Sequence, residues 1–147
     1  MAEIGFYHLL RTGPDQALPQ LLARTLKAGQ RATIRCGSPA RVAALDTALW
    51  LTPDPDWLPH GTTQTGNPDL QPIWLTTEDE APNGAKFLFL IDNTTANLTP
   101  YTRVFDLFDG NDEPAVTAAR ERWKSAKSDG HTLAYWQQTA RGWEKKA

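Results

Sequence analysis

Cysteine occurs once in this chain, at position 36. A single thiol excludes an intrachain disulfide and a cysteine zinc cluster, and it fits a reducing cytoplasm. Histidine is nearly as scarce. His8, His60 and His131 are isolated, with no second histidine at helical spacing, so no metal-ligand pattern emerges. No apolar run approaches the length of about 18 residues that a membrane span needs. The first residues include Glu3 and lack a basic region, so no signal peptide is expected. An excess of one charge is missing too: 15 basic residues against 17 acidic ones give a net charge of -2. That balance argues against a dedicated duplex binder with a broad phosphate-contacting surface, so any basic patch must be local.

The motifs of common chemistries are also missing. Cys36-Gly37-Ser38 carries one glycine, whereas a dinucleotide fingerprint needs three and a phosphate loop ends in Gly-Lys-Ser/Thr. Ser38 is better read as a helix cap, with Pro39 at the first helical position. No Gly-x-Ser-x-Gly elbow exists and Cys36 has no evident base, which makes it a structural thiol. Asp109-Gly110-Asn111-Asp112 resembles a calcium loop only superficially, because its glycine is misplaced and the closing glutamate is absent. Asn111 or Asp112 as a helix cap is the preferred account. Glu78-Asp79-Glu80 reads as a solvated, turn-rich surface. No cofactor is expected.

What is present is an apolar pattern with two alternating periods. The 147 residues, 40% of them hydrophobic, match the size of one domain, taken as residues 1–147. Short apolar runs at Glu3–Leu10, Arg31–Cys36, Pro72–Leu75, Lys86–Ile91 and Arg103–Phe108 predict strands. Leu18, Leu21, Leu22 and Leu26 share one helical face, with Pro19 a point of bending or delayed start, and Val42, Leu45 and Leu49 share another. The stretch from Pro53 to Pro72 reads as mostly loop, broken by its prolines. A terminal hairpin is expected around Tyr135–Gln138 and Gly142–Lys145. The order β-α-β-α-β-β-β-α-β implies an α/β fold with a mainly parallel sheet covered by helices on both faces.

The last predicted helix, Pro114–Lys127, is lopsided. At about 100° per residue, with Arg120 at zero, Lys124 falls at about 40°, Lys127 at about -20° and Trp123 at about -60°. Ala115, Val116, Ala119 and Ala126 form a separate stripe of mostly small residues that suits close approach to a sheet. Two readings compete for the cationic sector. In one, the lysines complement the helix dipole while Trp123 packs inward. In the other, Trp123, Arg120 and Lys124 form a pocket for an aromatic group or carboxylate of an acidic peptide.

Phe6-Tyr7-His8-Leu9, Leu45-Asp46-Thr47-Ala48-Leu49-Trp50, Trp57-Leu58-Pro59-His60-Gly61 and Ala119-Arg120-Glu121-Arg122-Trp123-Lys124, taken in order, resemble the chi subunit of bacterial DNA polymerase III. The resemblance implies a three-layer α/β/α Rossmann-like fold and a non-catalytic, cytoplasmic accessory role in the clamp-loader assembly. It further implies binding of the acidic, Phe-terminated C-terminal tail of single-stranded-DNA-binding protein, at Arg120, Trp123, Lys124 and Lys127 with Phe108 at the preceding strand end. A second surface, at Trp57, Pro59 and His60 with Trp50 in support, is implied for the psi subunit or another protein. DNA is then contacted only indirectly. The competing classes are direct single-stranded nucleic-acid binding through the same cations and a small nucleotide-using enzyme on the same fold.

Overall fold

The strand Glu3–Leu9 (β1) is apolar on both faces, with Ile4 and Phe6 buried on one side of the sheet and Tyr7 and Leu9 on the other. Such two-sided burial marks an inner strand of a parallel sheet covered by helices. The computed structural model describes residues 2–52 and 58–147. β1 leads into the helix Pro14–Lys27 (α1), where the Gln16 side chain accepts the amide of Gly13 at 3.0 Å and so satisfies one free donor of the first turn. The helix continues through Pro19. The strand Ala32–Arg35 (β2) precedes the helix Pro39–Leu51 (α2), capped as expected by Ser38, whose hydroxyl accepts the Arg41 amide at 3.1 Å.

His60–Gly61 (β3), Ile73–Thr76 (β4), Phe87–Leu90 (β5) and Arg103–Asp109 (β6) follow, then the helix Glu113–Ser128 (α3) and the hairpin of Thr132–Thr139 (β7) and Gly142–Lys145 (β8). They build one eight-stranded sheet in the order β3-β4-β2-β5-β6-β1-β7-β8, in which only the β7–β8 pairing is antiparallel. The fold class and the terminal hairpin are those the pattern predicts. α1 and α2 pack on the face carrying Tyr7, Ile34, Leu75, Phe89 and Leu107, and α3 packs on the face carrying Ile4, Phe6, Leu90, Val104 and Phe108.

Three local expectations change. The stretch read as mostly loop between Pro53 and Pro72 contains β3 and a 3-10 turn at Pro68–Leu70. A two-residue strand is too short to carry a period. The acidic turn is not simply solvated: Glu80 accepts hydrogen bonds from Trp74 Nε1 (3.3 Å) and Thr76 Oγ1 (2.8 Å), and Asp79 accepts the Asn97 amide (2.8 Å). These carboxylates pin the turn to β4 and to the segment after β5. Asp112 holds the cap position of α3, but its side chain makes no capping bond; the Asp109 carboxylate instead accepts the Asn111 amide at 2.9 Å.

Candidate partner-binding surface

α3 lies close on the sheet because its inner stripe is small: Ala115, Ala119 and Ala126 are all buried. Close packing of the helix axis leaves the bulky Trp123 at the flank, where its indole meets Phe6 edge-on (centroids 5.2 Å apart, planes at 62°) and Tyr135 likewise (6.0 Å, 71°). Parallel pairing of β1 with β7 puts Phe6 directly beside Tyr135. Between these rings, Phe108 and the Val116–Ala119 turn of α3 is a cavity of about 190 Å³ with Arg120 at its wall. Trp123 therefore does what both readings of the helix asked: it packs inward and also walls a pocket.

Of the five residues predicted for a tail site, the structure brings Phe108, Arg120 and Trp123 to this cavity, with Lys124 and Lys127 on the exposed surface of the same helix outside its walls. Neither Arg120 nor Lys127 forms an ion pair among the described residues. Lys124 approaches Glu121 at 3.5 Å with both side chains about as exposed, 73% and 69%, an arrangement of little net strength. The cations are thus available to an anionic ligand. Burial raises the Tyr135 hydroxyl pKa above its ordinary value, with the nearby Arg120 charge opposing.

Two wall residues, Phe6 and Tyr135, escaped the sequence reading. The only signal for Tyr135 was the aromatic run of the hairpin, and its position depends on β7 lying beside β1. Its hydroxyl is hydrogen-bonded to His8 Nδ1, and the His8 ring lies 5.0 Å from Phe108. Gly110 makes room for this imidazole: a Cβ there would fall 1.9 Å from His8 Cδ2 and 2.8 Å from the Leu9 carbonyl oxygen.

The second predicted surface lies at the other end of the sheet order. Trp57 falls outside the described residues. Trp50 is 55% exposed and the adjacent Leu51 76%, which rules out a core role for the indole and leaves an apolar pair in solvent. The structure brings Trp50 to His60, ring to ring at 4.3 Å. His60 itself is buried: Nδ1 donates to the Leu58 carbonyl at 2.6 Å, and Nε2 is hydrogen-bonded to the Asp46 backbone carbonyl at 3.3 Å, with Asp46 Oδ1 2.9 Å away. Its imidazole ties residues 58–61 to α2 and backs the exposed indole, while Pro59 is half-buried beside it.

The turns before α2 and α1, where a nucleotide-binding sheet offers backbone donors to phosphate, are already engaged. Gly37 N donates to Asp92 Oδ2 at 3.0 Å beside the Ser38 cap. At the end of β1, the amides of Leu10, Arg11 and Thr12 converge on Gln138 Oε1 at 3.1, 2.8 and 3.1 Å. Backbone donors so arranged form an anion cradle in phosphate-binding folds; here a side-chain amide oxygen fills it and latches the hairpin. Burial, followed by the Asp92 charge, pushes the Cys36 thiol up to about 12, the opposite of what a nucleophile needs. Among the described residues no helix is long and apolar enough to cross a membrane.

The sequence is similar to known proteins. It is 24% identical over 121 residues to the DNA polymerase III subunit chi of Escherichia coli (strain K12), covering 81% of this chain and 82% of that protein. The family model described as DNA polymerase III chi subunit, HolC, matches residues 1–134. That span takes in β1 to β6, the start of β7, all three helices and both surfaces described above except the Tyr135 wall, and by it the chain belongs to the DNA polymerase III chi subunit family.

Proposed function

We propose that this protein is a non-catalytic, single-domain accessory subunit of the replicase that receives the acidic C-terminal tail of single-stranded-DNA-binding protein. The observation that carries the reading is the small aromatic cavity beside α3 with Arg120 at its wall, without an ion pair among the described residues. At about 190 Å³ it is below the size of cofactor pockets and suits a side chain. The terminal aromatic ring enters between Phe108, Trp123 and Tyr135. Arg120 meets the terminal carboxylate, for which a guanidinium fork is the best-matched partner. Lys124 and Lys127 attract the acidic residues that precede it, chiefly raising the rate of encounter.

The Trp50 surface, with Pro59 and His60 behind it and Trp57 in the same segment, is assigned to a second protein, psi or another partner, that ties the subunit to the clamp loader in the cytoplasmic replisome. An exposed indole next to an exposed leucine is the composition of an interface anchor. DNA is reached through the tail-bearing protein rather than by direct contact. Isothermal titration with an acidic peptide ending in phenylalanine tests the first assignment. Arg120→Ala is expected to weaken binding by about 1–3 kcal/mol, as for an interface anchor. An unchanged affinity in the folded variant sinks the proposal.

A further inference from the structure

A second cleft, of about 750 Å³, opens along the opposite flank of α3. Its origin lies in the sheet order. α3 packs over the β6-β1-β7 part of the sheet, while on this face the end of β5 is sheltered by the irregular segment 92–101 rather than by a helix. The cleft runs between that segment and α3, over an apolar floor that includes Ile4, Leu90, Val104 and Ala126.

The polar groups of the cleft have a definite sign. Glu121 and Asp129 stand exposed on the α3 side, and Asp106 is buried at the base. The cation lining the cleft, Arg122, is held by Asp106 through two hydrogen bonds, Nε to Oδ2 at 2.6 Å and Nη2 to Oδ1 at 2.9 Å, with a third from Nη1 to Asn93 Oδ1 at 3.2 Å. Its charge is thus matched within the protein, and Glu121 and Asp129 leave an acidic rim. Nearby cations do not reverse this. Lys124 meets Glu121 only at 3.5 Å in solvent, and Arg35, which is not part of the lining, is held by the Thr95 carbonyl and lies 3.9 Å from Asp79.

Donors for a peptide backbone are present as well. A guanidinium carries five N–H groups, and two of those on Arg122 have no partner among the described residues. His131 accepts the Ala2 amide at Nδ1 (3.0 Å), which in the neutral ring leaves Nε2–H as a donor on a residue lining the cleft.

We propose that this cleft is a docking groove for an extended basic and aliphatic segment of a partner protein. Aliphatic side chains cover the apolar floor, the lysines or arginines between them face Glu121 and Asp129, and backbone carbonyls accept from Arg122. The volume falls in the range of built binding clefts, and the acidic rim selects a positive ligand just as the other flank of α3 selects a negative one.

The test uses the full chain and a fluorescein-labelled peptide of alternating leucine and lysine, followed by anisotropy. Saturable binding is expected, with a loss of about tenfold in the double variant Glu121→Lys/Asp129→Lys and no loss in Arg120→Ala. Ser125→Trp, which places an indole over the cleft, is expected to block the peptide; circular dichroism checks that this variant is folded. The charge reversals sit at exposed positions and test the groove independently of it. The proposal is overturned by the absence of saturable binding, by binding that the charge reversal leaves unchanged, or by spermidine competing as well as the peptide, which would reduce the site to a simple cation attractor.

Discussion

The two flanks of α3 differ in almost every property that governs recognition, although one helix supplies both. On one side Arg120 and Trp123 face a tight aromatic cavity of about 190 Å³, with the exposed Lys124 and Lys127 on the same helix nearby. On the other, Glu121, Arg122 and Asp129 face a wide cleft of about 750 Å³ with an acidic rim and a compensated guanidinium. Position 120 thus serves one surface and its neighbours 121 and 122 the other, because each step along a helix turns the side chain by about 100°. Charge sign on a helix has meaning only with its azimuth. The net charge of -2 hides two local fields of opposite sign, and fields of this kind act over about one Debye length, roughly 8–10 Å.

The largest expected effect breaks the base of the acidic flank. Arg122→Ala removes the partner of Asp106, which is 2% exposed as a residue, and stranding a buried carboxylate is expected to cost about 3–5 kcal/mol in urea unfolding. Burial raises the Asp106 pKa and the Arg122 hydrogen bonds and charge oppose the rise. Without Arg122 that opposition is gone, so the folded-state pKa rises further above the unfolded value. The sign follows: a carboxyl with a raised folded pKa destabilises above that pKa and is relieved by protonation, so the deficit of Arg122→Ala is expected to shrink as the pH is lowered through the carboxylate range. A deficit that grows on acidification would show that Asp106 is not the stranded group.

On the aromatic flank, Trp123→Ala is expected to weaken the acidic, Phe-terminated peptide by about 1–3 kcal/mol while leaving the leucine–lysine peptide unaffected; calorimetry of both in one variant separates the flanks. Gly110→Ala tests the support behind that pocket. The new methyl group collides with the His8 ring, and overpacking of this kind is expected to cost about 1–3 kcal/mol of stability, read by thermal melting alongside tail affinity. The smallest effect is expected for Lys124→Ala, whose exposed pairing with Glu121 contributes no more than about 0.5 kcal/mol to stability. Its signature is instead a weaker salt dependence of tail binding, measured by titration at two ionic strengths.

Much of the fold is legible in the sequence. Strands such as Lys86–Ile91 and Arg103–Phe108 declare themselves by continuous apolar runs, and α1 and α2 by leucine stripes that became buried core. Ser38 was legible as a cap because its chemistry is local. β3 was not, since two residues carry no pattern and the pairing of His60–Gly61 with β4 is a tertiary event. At the candidate site the same division holds. Arg120 and Trp123 could be placed on one sector by counting, whereas Phe6 and Tyr135 become walls only through the β1–β7 register. The imidazole of His60, read as part of a surface, is buried beneath Trp50 instead.

Sequence alone determined the α/β class, the three helices, the cationic sector of the last helix and, through ordered motifs, the family. The class, the helices and the cationic sector follow from periods of two and 3.6 residues and from local capping chemistry, all of which act within a few residues. Only the tertiary structure decided that Gln138 fills the backbone cradle at the end of β1, that Asp106 and Arg122 neutralise each other, and that α3 divides two clefts of opposite character. Each depends on residues distant in sequence meeting across the sheet, and long-range pairing is set by packing of the whole core rather than by any local preference.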